Sequence, residues 1–146
     1  MAHVLIASDA PWVHDDISAA LPGATTVRRL IAGRAVAPAV SEQKPDLVVL
    51  DLQIGNMGGM ATCLELRNEE SGGRLPHVPV LMLLDRQADV YLARQSRADG
   101  WLVKPLDPIR VRKAVNALLA GDTFTDRVQT GDAAQNYLAT PDSTAR

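Results

Sequence analysis

The sequence predicts a doubly wound α/β fold, a five-stranded parallel sheet with helices on both faces that makes a three-layer sandwich. Three observations carry this. Five short apolar runs lack polar alternation, as strands buried on both faces do. Helical spacing or chain-breaking residues separate each run from the next. At 146 residues with 47% hydrophobic content, the chain suits one domain with a real core.

The first run is HVLIA, residues 3–7. PWVHDDISAAL follows, with Val13, Ile17, Ala20 and Leu21 at helical spacing and Pro11 suited to a first turn. Pro22-Gly23 ends that helix, and the β-branched TTVRRL (25–30) predicts a second strand. GRAVAPAVSEQ places Ala35, Val36, Ala39 and Val40 on one face, and Pro38 makes the helix short or late-starting. LVVL is the third strand, after the break at Lys44-Pro45-Asp46. MATCLELRNEE predicts a helix with Met60, Cys63, Leu64 and Leu66 near one side. VPVLMLL (78–84) is the fourth strand, and DRQADVYLARQSRA a helix with a thin apolar stripe. WLV is the fifth strand. Asp107 is placed to cap the last helix, with Pro108 at its first position and Val111, Val115, Leu118 and Leu119 as its buried face. From Gly121 the pattern stops, and residues 121–146 are expected to form a largely disordered tail with no output domain, in which DAAQNYLA makes at most a weak helical turn.

Composition narrows the function. A net charge of −2 marks neither bulk nucleic-acid nor acidic-membrane binding. No apolar run approaches the length of a membrane span, and the start of the chain lacks signal-peptide character, so a cytoplasmic location is expected. The single cysteine, Cys63, excludes an internal disulfide and a cysteine-based zinc site, and reads as a small core residue. His14 and His77 have no partners at ligand spacing, so surface roles are expected.

Chemistry gathers where the strands end. The first ends at Ser8-Asp9, the third at Asp51, the fourth at Leu84-Asp85 and the fifth at Val103-Lys104-Pro105. Parallel strands bring these ends to one edge, where doubly wound folds bind ligands. Two carboxylates and a lysine would converge there. Close carboxylates repel unless a proton or a cation intervenes. Mg2+ suits such a place because it binds through one or two carboxylates and leaves room for a phosphate. Asp51 would then accept a phosphoryl group, Asp9 hold the metal, and Lys104 act as a point charge on a phosphoryl oxygen. Backbone or water oxygens would complete the metal's shell. Gly55, Gly58 and Gly59 would let the backbone approach the site. Taken singly, each residue has a plainer reading: a strand-end Asp is a turn or cap residue, and a lysine a solvated one.

At this point the chain resembles the receiver domain of bacterial two-component response regulators, over about residues 1–120. PDLVVLDLQIGNMGG is similar to that family's phosphoacceptor strand and loop, with Asp51 at the acceptor position. DGWLVKP is similar to its fifth strand, with Lys104 as the invariant-type lysine, Trp101 at the aromatic switch position and a cis Lys-Pro bond. VPVLML is similar to the fourth strand. The resemblance implies a flavodoxin-like fold and a histidine kinase or phosphotransfer protein as phosphate donor, with Mg2+ bound by Asp9, Asp51 and the Gln53 backbone, and weakly by Ser8 through a water. It also implies a switch that remodels the face made by the fourth helix, fifth strand and fifth helix.

Four departures stand out. Ser8 replaces one of two acidic residues and should weaken Mg2+ binding. Leu84 stands where the family has Ser or Thr, so the hydroxyl that links phosphate to the switch is missing. Asp85 replaces a small residue and either opposes phosphorylation or points outward to cap the next helix, the second being expected. Gly55 replaces a proline, which should loosen the loop. Trp12 shields the cleft, stacks on a partner or packs locally on the first helix. Arg86, Arg94 and Arg97, with Arg110, Arg112 and Lys113, form a basic cluster that reads as a solvated face or as a protein-binding or homodimer face.

The expected function is a stand-alone, divergent response regulator that accepts a phosphoryl group on Asp51 and signals to a downstream protein, without enzyme activity of its own and without DNA or membrane binding. The alternative is a phosphorylation-independent pseudo-receiver that acts as a protein-binding module. A flavin-binding or enzymatic reading is weak, because SDAPW stands where a phosphate-binding glycine loop would follow the first strand.

Overall fold

A computed structural model describes residues 1–126. The expected tail beyond that point, with its possible helical turn, lies outside the described residues. Five parallel strands form one sheet in the order β2-β1-β3-β4-β5. They are β1 (His3–Ala7), β2 (Thr26–Leu30), β3 (Leu47–Asp51), β4 (Val80–Leu84) and β5 (Gly100–Val103). The order reverses between β1 and β3, and this crevice lies beside the end of β3.

The helices are α1 (Pro11–Ala20), α2 (Val36–Glu42), α3 (Gly59–Ser71), α4 (Val90–Gln95) and α5 (Pro108–Leu119). Two apolar clusters lie on opposite faces of the sheet. One contains side chains of α2, α3 and α4, the other those of α1 and α5. β3 and β4 are buried throughout, which is why their sequences carry no polar alternation. β2 is an edge strand and buries only Leu30.

The helical predictions hold, with instructive shifts. Asp107 caps α5 by accepting a hydrogen bond from the Ile109 amide at 3.1 Å. α2 is short, as Pro38 requires, and is entered through a 3-10 turn at Gly33–Ala35. α4 is shorter than its sequence segment suggests. Its first turn, Gln87–Asp89, is a 3-10 turn, and Ala93 alone is buried within the helix. A thin apolar stripe offers little packing to extend it. Cys63 is buried in the core, and its thiol donates to the Ser96 carbonyl. Burial pushes its pKa up, against the opposing charge of Arg67.

Arg67 and His14 are among the buried polar residues that the helical patterns did not mark for the core. Arg67 of α3 donates to Asp99 at 2.6 Å and to the carbonyls of Val78 and Arg97, each at 3.0 Å. It ties α3 to the turns flanking β4 and β5, and its five donors find acceptors enough to offset desolvation. His14 of α1 is expected at the surface and is instead buried.

The chain also does not leave the domain at Gly121. Residues just after α5 fold back on the outer edge of β5, where Phe124 forms a bridge with Gly100. The expected disorder therefore does not begin at residue 121.

Candidate functional site

Asp51 is the last residue of β3 and is buried. Both carboxylate oxygens are engaged. Oδ1 accepts from the Gln53 amide at 3.1 Å and from Lys104 Nζ at 2.9 Å. Oδ2 accepts from the Ser8 hydroxyl at 2.7 Å. A buried carboxylate without such partners would be costly, and here a full charge and two dipoles meet it.

Three elements deliver these groups. β1 ends at Ala7 and places the buried Ser8 beside Asp51. The Ser8 hydroxyl also accepts from the Ala10 amide at 3.0 Å. His14 holds the same residue from α1: its Nε2 lies 2.6 Å from the Ser8 carbonyl. A carbonyl only accepts, so Nε2 carries the proton and the buried Nδ1 has no hydrogen-bond partner among the described residues. The Lys104-Pro105 bond is cis, as expected, and Lys104 reaches from the β5 end past β4 to Asp51 of β3.

The α3 start must approach the Asp51 backbone closely. A Cβ on Gly59 would meet the Asp51 carbonyl and the Leu52 Cα at 2.7 Å each. Gly59 thus serves as foreseen. The left-handed positions in the loop, however, are Asn56 and Met57, not its glycines. Such backbone in a non-glycine residue is strained and recurs at functional sites.

Asp9 is exposed, and its Oδ2 accepts from the Gly55 amide at 3.1 Å. A proline at position 55 has no N–H and could not make this bond. Gly55 therefore orients Asp9 rather than simply loosening the loop.

Asp85 corrects an expectation. It does not cap α4; Arg86 and Asp89 close that turn, with Asp89 Oδ2 accepting from the Arg86 amide at 3.1 Å. Asp85 Oδ1 instead accepts from Lys104 Nζ at 3.1 Å. Lys104 is thus shared between two carboxylates. Burial works against its charge, but the hydrogen bonds and charges of Asp51 and Asp85 prevail and hold its pKa above the ordinary lysine value. The Trp12 ring lies over the same ammonium, 5.7 Å from Nζ to centroid, with the indole 47% exposed. Trp12 therefore shields the site and is not packed only on α1.

Leu84 and Trp101 share one buried cluster, at 0% and 6% exposure. The Arg94 guanidinium lies 5.5 Å from the Trp101 ring centroid. The basic cluster is less uniform than its sequence suggests. Arg94, Arg97, Arg112 and Lys113 are exposed, but Arg110 is half-buried and paired with Asp126, and Arg86 with Asp89. Arg110 is therefore not an open contact residue in this state. His14 is the contributor that sequence reasoning missed, and Asp85 the one whose direction it misjudged. For Asp85 the signal was present, a carboxylate one residue past a strand end.

The available metal ligands are hard oxygens: the Asp9 and Asp51 carboxylates, the Gln53 carbonyl and the Ser8 hydroxyl. This set fits Mg2+ in kind, with one carboxylate fewer than two acidic residues after β1 would give. Among the described residues no group of three or more His, Cys, Asp or Glu side chains gathers. No helix among them is long and apolar enough to cross a membrane.

Comparison with known proteins gives a consistent result. Residues 4–116 match the response regulator receiver domain family. The chain is 28% identical to protein PilH of Pseudomonas aeruginosa, over 83% of this chain and 100% of that one. It is 27% identical to the nitrate/nitrite response regulator protein NarL of Escherichia coli K12, covering 99% of this chain and 67% of NarL. It is 34% identical to the DNA-binding regulator RpaA of Synechocystis, over 88% of this chain and 52% of RpaA. The chain thus spans about two thirds of NarL and about half of RpaA. A signal receiver domain from Mycobacterium tuberculosis superposes with a TM-score of 0.70 at 27% identity, covering 82% of this chain and 97% of that domain. Chemotaxis response regulator CheY4 of Vibrio cholerae, at 24% identity and a TM-score of 0.71, covers 81% of this chain and 98% of that one and shares the fold.

Proposed function

The chain belongs to the response regulator receiver domain family of two-component signalling, and on that premise we propose that it accepts a phosphoryl group on Asp51 from a histidine kinase or phosphotransfer protein. One observation carries the proposal: a buried carboxylate at a strand end with an ammonium 2.9 Å from its Oδ1. Asp51 is the nucleophile. One of its oxygens bonds to phosphorus as the bond from phosphorus to the donor's histidine nitrogen breaks. Lys104 stays with the transferred group as a fixed positive charge. Ser8 and the Gln53 amide keep the carboxylate oriented during attack.

Asp9, Asp51 and the Gln53 carbonyl are the residues that would hold Mg2+, with Ser8 acting through a water. Bound Mg2+ would supply positive charge to the phosphoryl oxygens. Gly55 fixes Asp9 for this role.

The output is a protein contact, made by a divergent receiver whose readout does not follow the usual hydroxyl-to-aromatic route. The exposed Arg94, Arg97, Arg112 and Lys113 belong to the contact face, which could also serve a homodimer. A second reading has its own support: Asp85 already occupies Lys104, and Trp101 is already buried, as in a module that works without phosphate.

Intact mass after incubation with acetyl phosphate and Mg2+ decides between them. A phosphoryl adduct on the native chain that is absent from Asp51→Asn is the expected result. No adduct on a folded native chain, with acetyl phosphate and with its own kinase, establishes the phosphate-independent module.

A further inference from the structure

The outer edge of β5 is closed by the chain itself. At the end of α5 the Gly121 amide donates to the Leu118 carbonyl at 3.1 Å and the Asp122 amide to the Ala117 carbonyl at 2.9 Å. With Gly121 at φ +91°, this helix stop turns the chain back along the sheet. The Phe124 amide then donates to the Asp99 carbonyl, and the Trp101 amide to the Phe124 carbonyl, each at 3.1 Å. Farther along, the Val103 amide donates to Asp126 Oδ2 at 2.9 Å. Arg110 pairs with the same carboxylate from α5.

The groove is shaped for this. A Cβ on Gly100 would lie 2.7 Å from the Phe124 carbonyl oxygen, so only glycine admits the segment. Phe124 packs against the apolar cluster of α1 and α5. Asp122, Phe124 and Asp126 alternate along the segment, which is the period of a strand that presents one face. An acidic segment thus lies along the edge, with Arg110 of α5 paired to its Asp126.

We propose that the β5 edge is a strand-accepting site that residues 122–126 fill in cis, and that the partner it fits is an acidic extended peptide with an aromatic residue two positions before an aspartate. Main-chain pairing to Asp99 and Trp101 supplies affinity, and the Phe124 site and the Asp126 carboxylate on the Val103 amide supply selectivity, as in other strand-addition complexes. The unpaired edge of a sheet is a template for such pairing. The intramolecular segment competes at high effective concentration, so the site is open to a partner only when that segment leaves.

The test uses the full chain. Amide hydrogen exchange is followed by NMR at Trp101 and Val103 in the native protein and in a Phe124→Ala/Asp126→Ala variant. The core amides of Val49 and Leu50 report that the fold is intact. Exchange at Trp101 and Val103 should rise about tenfold in the variant, the scale of one lost hydrogen bond. A synthetic peptide of residues 121–126, at millimolar concentration, should restore protection to the variant and leave the native chain unchanged. The same peptide with alanine for phenylalanine should not. Should the double variant not fold, Arg110→Ala loosens the same segment from the α5 side and should speed exchange at Val103. Equal exchange in native and variant proteins overturns the proposal, as does a peptide that fails to protect. A concentration-dependent doubling of mass without peptide protection assigns the edge to a second copy and overturns the peptide partner.

Discussion

On the β1–β3 side of the sheet edge, polar atoms meet polar atoms: Ser8 on Asp51 Oδ2, the Gln53 amide on Oδ1, the Gly55 amide on Asp9. On the β4–β5 side, Leu84 and Trp101 meet in an apolar cluster, and Asp85 draws on the lysine that serves Asp51. Under the proposed function, the first region together with Lys104 would serve attack on phosphorus, while Leu84 gives the second no hydroxyl to sense the result. Accepting a phosphoryl group and reporting it would then be separable properties.

Replacing Lys104 should break the first region most. Lys104→Met leaves the Asp51 and Asp85 carboxylates without their shared cation. The rate of adduct formation with acetyl phosphate, read by intact mass, should fall by about a hundredfold, as for loss of one preorganised electrostatic contact. A variant as fast as the native chain would remove Lys104 from the mechanism.

Leu84→Thr sharpens the contrast from the other side. It removes buried apolar volume and adds a hydroxyl to an apolar cluster, so it should cost about 2 kcal/mol in chemical denaturation. In a Trp12→Phe background, Trp101 emission should then respond to phosphorylation of Asp51, whereas the native side chain at position 84 gives no response. Identical emission changes in both proteins would show that Leu84 does not insulate the switch.

Asp85→Ala tests the competition for Lys104. The pair is partly exposed, so the effect is modest: adduct formation should be about two- to fivefold faster. A slower rate would mean that Asp85 positions the lysine instead of diverting it.

The smallest effect concerns pH. The His77 hydrogen bond and the Arg67 charge hold Glu70 below its ordinary pKa, against burial. A carboxylate whose folded pKa is depressed contributes stability above its unfolded pKa and loses it as pH falls through the folded value. The native chain should therefore lose its stability advantage over Glu70→Gln as the pH drops through the carboxylate range, as followed by urea midpoints. Lys104 runs the other way: its contribution is complete below the ordinary lysine pKa and is lost as pH rises through the elevated value.

Most elements were legible because burial on both faces of a parallel sheet leaves uninterrupted apolar runs, and because Asp107-Pro108 and the Pro38 helix obey local backbone rules. Asp51, Lys104 and Ser8 were legible as a group because parallel strands end at a common edge. His14 and the 121–126 segment were not, and Asp85 was legible as a strand-end charge but not in its direction. A histidine on a helix gives no sign that its ring will face a strand-end carbonyl, and a polar Asp-Thr-Phe-Thr-Asp stretch gives none that a neighbouring edge is vacant.

The sequence by itself determined the fold class, the strand ends and the residue types delivered there, since hydrophobic periodicity and backbone stereochemistry act over a few neighbouring residues. Only the tertiary structure decided that Asp85 faces inward to Lys104, that Trp12 covers it, that Gly55 orients Asp9, and that residues 122–126 close the β5 edge. Each of those contacts joins residues brought together by chain packing, and each direction was chosen by which charge or hydrogen bond the packed neighbours left to be satisfied.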